Sequence, residues 1–167
     1  LHNLLTHTSG IFNYTNNGQF MQSNGNKPVD QKTMFSLFQD KQLEFEPGSK
    51  YNYSNSGYVL LGYIIEKVTG KPWEQNVRES ILKPLGMSNT GFDYAGLKGD
   101  AKTTGYFSVS DVGSVPSPII DSTFSYAAGS IYTTTTDLLK WERALAKGRL
   151  LKKESWQKAI TPVKESY

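Results

Sequence analysis

The pattern of apolar residues makes this an α-rich α+β chain. Apolar residues recur at helical spacing near 56–69, 73–84 and 134–148. Each of these stretches is bounded by residues that start or stop helices. Strand-like bursts are short, and apart from SIYTT (130–134) they fall in the Gly-, Ser- and Pro-rich middle between Gly91 and Ser125.

The chain opens LHNLLTHTSG, and Leu1, Leu4 and Leu5 read as an amphipathic helix already under way. HTSG (7–10) reads as the turn that ends it, with Gly10 as the cap. Asp30 is placed to cap a short helix that holds Met34, Phe35, Leu37 and Phe38. Pro47-Gly48 then breaks the chain. The best-defined helix follows at 56–69. Its first half is apolar almost all round, which predicts burial on several sides, and Glu66 and Lys67 mark where it emerges. Gly70 suits a left-handed cap, while Pro72 stops that helix and can open the next.

The second helix carries Trp73, Val77, Ile81 and Leu82 and ends near Pro84. Between Gly91 and Ser125 the expectation is loops with one or two short strands, YFSV (106–109) among them. TTTD (134–137) resembles a capping pattern for a helix with Leu138, Leu139, Trp141 and Leu145, ended by Gly148. A last short helix near 152–160 stops before Pro162, and Trp73, Trp141 and Trp156 all fall at core spacing.

Composition narrows the function classes. A chain of 167 residues can bury one real core. Hydrophobic residues at 37% and charged residues at 20% are ordinary for a globular protein, and 13% aromatics point to a ring-rich core or cleft. The net charge of +3 carries no basic stripe, which argues against nucleic acid as a partner. The absence of cysteine removes disulfides, thiolate zinc sites and a cysteine nucleophile together. The longest apolar run, YVLLGYII (58–65), is far too short to span a bilayer. His2 and His7 have no further ligand at metal spacing, so neither a metal nor a cofactor is expected. Residues 1–167 show no repeat or linker and read as a single region, expected to be a piece of something longer that is truncated at both ends.

YNYSNSGY (51–58) lies at the mouth of the most apolar helix. Polar residues there are either a cap or part of a site. As a cap, Asn55 or Ser56 would close the helix and Tyr53 would pack on its first turn. Four stretches favour a site. LLTHTSGI (4–11), YNYSNSGYVLLGYIIEKVTG (51–70), ILKPLGMSNTGF (81–92) and AAGSIYTTTTDLLKWERAL (127–145), in this order, resemble the serine β-lactamase and penicillin-binding superfamily, on its class C, D-alanyl-D-alanine carboxypeptidase and esterase branch. The resemblance implies the helical region of such a hydrolase, lacking most of its central antiparallel sheet. It also implies a three-part active site: Ser-x-x-Lys, then Tyr-x-Asn, here Tyr53-Ser54-Asn55, then a Lys-Thr-Gly or His-x-Gly strand. By the family's layout the first part should precede Leu1 and the third should follow Tyr167. SILK (80–83) and SWQK (155–158) match the first pattern only literally, on the wrong side of Tyr53, and KTTG (102–105) has one residue too many for the third.

The resemblance makes Tyr53 a catalytic residue and Asn55 a substrate-binding one. Acyl transfer by serine needs a base for the hydroxyl proton. A free tyrosine, with a pKa of about 10, is a poor base at neutral pH, and a nearby lysine ammonium lowers that value by favouring the phenolate. Asn55 lies two residues on, so in an extended segment both side chains point the same way. An Asn amide can donate to a substrate carbonyl and accept from the lysine. Tyr51 and Tyr58 read as packing or cleft-wall residues, and AAGS (127–130) as scaffold where backbones approach closely.

The implied partner is a small-molecule or peptide substrate with a carbonyl: a β-lactam, a D-alanyl peptide or a small ester. The implied compartment lies outside the cytoplasm. Truncation would leave apolar surface through which two copies could dimerise. Two alternatives stand beside this reading: a non-catalytic sensor or interaction module that has lost the serine, and an independent α-rich interaction domain in which YNYSN is only a cap.

Overall fold

A computed structural model describes residues 1–99 and 102–163. Helices dominate it. α1 (His2–Leu5) is a single turn. α2 (Gly18–Asn24) and α3 (Gln31–Ser36) are short, and the side chain of Asp30 caps α3 by accepting the Thr33 N–H at 2.7 Å. α4 (Asn55–Thr69) is the longest, and Gly70 ends it at φ 68° with its N–H on the Glu66 carbonyl. α5 (Trp73–Val77) runs through a π-helical turn at Arg78–Leu82 into α6 (Lys83–Leu85). β1 (Tyr106–Ser110) and β2 (Gly113–Pro116) form an antiparallel hairpin, which is the whole sheet among the described residues. α7 (Ser122–Ser125), α8 (Thr135–Ala146) and α9 (Lys153–Ile160) complete the order. No helix among the described residues is long and apolar enough to cross a membrane.

The core is built in two clusters. Tyr14, Met34, Phe38, Val59 and Phe124 form one, and Trp73, Leu82, Met87 and Phe92 form the other. Tyr126 packs against both. Its ring stacks on Tyr63 at 4.5 Å and meets the edge of Trp73 at 5.6 Å. Each fully buried large side chain contributes about 1.5–3 kcal/mol, so the clusters hold α4 to the 122–128 segment from both sides. Gly62 makes that contact possible, since a Cβ there would sit 2.6 Å from both the Ala127 Cβ and the Tyr126 ring. The scaffold role expected of AAGS therefore falls to Ala127, against a glycine on α4.

Asp137 ties α8 to the preceding loop. Its side chain is fully buried and accepts the Asn89 N–H at 2.7 Å, the Thr90 hydroxyl at 3.0 Å and the Lys140 ammonium at 2.7 Å. The Lys140 ammonium, then the Asn89 and Thr90 donors, hold its carboxyl below the usual carboxylate range against the opposing effect of burial.

Several sequence expectations need correction. The opening helix lasts one turn, with Leu1 and Leu5 exposed to solvent and Leu4 lying against Gly57. Gly10 is not its cap: Thr6 closes the helix, and Gly10 stands at φ 74° where a Cβ would lie 2.3 Å from the Phe45 carbonyl oxygen. SIYTT is not a strand, since only Tyr132 pairs, across a bridge to Gly91. The second helix does end near Pro84, as expected: it runs one residue further, to Leu85, and Gly86 at φ 65° makes the stop.

Candidate active site

Tyr53 and Asn55 are brought together. Residues 51–54 have no regular secondary structure, Ser54 is extended at φ −143° and ψ 115°, and Asn55 is the first residue of α4. The two side chains therefore share one side, and the Tyr53 hydroxyl donates to Asn55 Oδ1 at 3.0 Å. Tyr53 is half exposed.

The capping explanation of this stretch fails on geometry. Ser54 occupies the cap position without a side-chain cap bond. Ser56, fully buried, instead donates to the Phe12 carbonyl at 2.7 Å and accepts the Tyr14 N–H at 3.0 Å. The polar residues of the stretch are spent on tertiary contacts with residues 7–15. Ser54 Oγ donates to the Ile11 carbonyl at 3.0 Å, and the Asn52 N–H donates to the His7 carbonyl at 2.9 Å. Asn13 Oδ1 accepts the Asn55 backbone N–H at 3.1 Å. The Asn55 amide nitrogen faces Thr15 Oγ1 at 3.2 Å and Asn13 Oδ1 at 3.5 Å. Its donors are thus engaged with the protein, and its oxygen is turned to Tyr53.

His7 is the residue that sequence reasoning missed. Its ring lies 4.5 Å from that of Tyr53, 5.1 Å from that of Tyr58 and 5.8 Å from that of Tyr51. Nδ1 accepts the Ser54 N–H at 3.2 Å, which an unprotonated nitrogen alone can do. Burial pushes the imidazole pKa below its ordinary value. His7 is therefore a neutral wedge that holds the Tyr53 segment against α1, at a positive φ of 53°. The signal in the sequence was the three tyrosines around position 53, which need an aromatic partner. Tyr51 and Tyr58 pack around it, which is the packing role of the two expected for them.

Asn55 borders a hollow of about 190 Å³ together with Tyr14, Thr15, Phe124 and Gly129. A larger hollow of about 860 Å³ does not touch Tyr53 or Asn55, but shares Ile120, Ser125 and Gly129 with the smaller one. Ser130 lies on the wall of the larger hollow, buried, with no hydrogen-bond partner for its hydroxyl. The literal Ser-x-x-Lys serines are elsewhere. Ser80 is exposed in the π-helical turn and Ser155 is exposed on α9, and neither bonds Tyr53 or Asn55. Among the described residues no group of His, Cys, Asp and Glu could hold a metal ion.

The chain is 35% identical over 162 residues to PbpX of Bacillus subtilis (strain 168), a candidate penicillin-binding protein, a match that covers 97% of this chain and 39% of that protein. The fold superposes on a D-stereospecific amidohydrolase from Streptomyces sp. with a TM-score of 0.83 and 29% identity, covering 96% of this chain and 50% of that one. It superposes on a penicillin binding protein from Bacillus halodurans with a TM-score of 0.78 and 30% identity, again covering 96% and 50%. The chain thus spans half or less of the length of each of these relatives. The Beta-lactamase family model matches residues 1–167 throughout, and the chain belongs to that family, within the serine β-lactamase and penicillin-binding superfamily.

Proposed function

We propose that these residues form one wall of the active site of a penicillin-recognising serine hydrolase, which cleaves an amide or ester through an acyl-serine. On this reading the chain is the helical region of the domain. The serine, its lysine and the opposing strand come from outside residues 1–167. Tyr53 takes the serine proton during acylation and delivers it to the leaving group. A lysine ammonium beside it keeps the phenolate accessible. Asn55 offers its oxygen to that ammonium or to a substrate N–H. The observation that carries the reading is the hydroxyl of half-exposed Tyr53 on Asn55 Oδ1 at 3.0 Å, with Asn55 itself on the wall of a hollow rather than capping α4.

The relatives' names span penicillin binding and D-stereospecific amide hydrolysis. They support a substrate whose carbonyl is next to a D-configured carbon, such as a D-alanyl peptide or a D-amino acid amide, or else a β-lactam. The same relationship supports a location outside the cytoplasm for the whole protein.

The test is acylation by a labelled penicillin, read by intact mass. Residues 1–167 alone should take no adduct, and a stoichiometric adduct would place a complete nucleophilic site among them and sink the proposal. In the whole protein containing this chain, Tyr53→Phe should slow acylation by about 10²–10⁴-fold, the ordinary contribution of a general base.

A further inference from the structure

We infer that Asn13 is a positioning residue for Tyr53. It fixes which end of the Asn55 amide faces the Tyr53 hydroxyl. Donors and acceptors decide that orientation, and its consequence rests on the role proposed above for Tyr53.

The Asn55 amide has three neighbours: the Tyr53 hydroxyl, the Thr15 hydroxyl and Asn13 Oδ1. Both hydroxyls can donate or accept, so neither chooses between the two orientations of the amide. Asn13 Oδ1 can only accept. Its own orientation is fixed in turn, because it receives two backbone N–H groups, from Asn55 at 3.1 Å and from Thr15 at 3.4 Å. Turning the Asn13 amide over would set its NH2 against both donors. With that oxygen in place, the near end of the Asn55 amide must be its NH2, since two oxygens at 3.5 Å would repel. The Asn55 oxygen is thereby aimed at Tyr53: the neutral Tyr53 hydroxyl donates to it, and once Tyr53 is a phenolate the proposed ammonium bridges the two oxygens. Asn13 is buried, so water does not blur this preference.

The consequence concerns the ammonium proposed beside Tyr53. With Asn13 present, it meets an oxygen on Asn55. With Asn13 truncated, the amide turns freely and presents its NH2 to the ammonium for part of the time. Acylation slows while the outer substrate contacts stay as they were.

The test uses the whole protein with selectively labelled asparagine and needs one measurement independent of activity. The Asn55 side-chain NH2 resonances, assigned by their loss in Asn55→Asp, should show proton contacts to Thr15 and not to the Tyr53 ring. The opposite pattern in the wild-type protein overturns the proposal without any Asn13 variant. In Asn13→Ala the exchange of these NH2 protons should quicken and kcat should fall about tenfold with KM within about twofold, as small misplacements of a reacting group do. Asn13→Asp keeps the acceptor oxygen and should recover both to within about threefold of wild type. An Asn13→Asp as slow as Asn13→Ala, or an Asn13→Ala indistinguishable from wild type, overturns the inference. Tyr53→Phe run beside them separates the two ideas. If it acylates at the wild-type rate, the role of Tyr53 fails, and the NH2 contacts still decide whether Asn13 orients the amide.

Discussion

Two glycines on α4 should respond in opposite directions to the same substitution. In a helix interior Gly→Ala gains about 1 kcal/mol from backbone entropy alone. At Gly57 an added Cβ meets Leu4 at 3.5 Å or more, which is ordinary van der Waals contact. Gly57→Ala should therefore keep most of that gain, about 0.5–1 kcal/mol. At Gly62 the added Cβ lies 2.6 Å from both the Ala127 Cβ and the Tyr126 ring. Neither neighbour can step aside. Ala127 moves only with its backbone, and the Tyr126 ring is held between Tyr63 and Trp73. Overpacking of this kind costs about 1–3 kcal/mol, and with both obstacles rigid the upper half of that range applies. Gly62→Ala should lose about 1–2 kcal/mol net, which separates the two variants by about 1.5–3 kcal/mol, or roughly 3–12 °C in Tm for a chain of this size. Urea unfolding followed by tryptophan fluorescence reads the difference directly, provided the m-value is unchanged. A Gly62→Ala variant as stable as wild type would refute the close approach of α4 to the 126–128 turn.

Two further expectations address the Tyr53 segment. Ser56→Ala strands the Tyr14 N–H and the Phe12 carbonyl in the interior and should cost about 2 kcal/mol by the same assay, while Ser36→Ala, at an exposed hydroxyl, should stay within about 0.5 kcal/mol. Equal effects of the two would refute the staple. His7 has its folded pKa lowered by burial, so the unfolded chain binds its proton first as the pH falls. Its contribution to stability is complete above its unfolded value of about 6.5 and is lost as the pH falls from there through the lowered folded value. The stability of wild type relative to His7→Phe should therefore be flat from about pH 8 to 6.5 and decline toward about pH 5. A difference independent of pH would mean that the imidazole titrates alike in both states.

The sequence by itself determined the longer helices and several of their ends. Asp30, Thr134 and Gly70 act on backbone groups within a few residues of themselves, so their roles are written in local order. It also determined that Tyr53 and Asn55 would share a side, because an extended segment repeats every second residue. Where local order ran out, so did legibility. SIYTT has the composition of a strand, but only Tyr132 finds a partner, and composition does not supply one. Gly10 has the look of a helix cap, and what requires a glycine there is the Phe45 carbonyl, distant in the chain.

The site shows the same division. The tertiary structure alone decided that Ser56 staples Phe12 and Tyr14 instead of capping α4, that His7 wedges the tyrosines, and that Asn13 meets Asn55 across 42 residues. An amide, an imidazole or a hydroxyl has several hydrogen-bonding options of similar energy in water. Burial against particular neighbours removes all but one, and those neighbours are known only once the chain has folded.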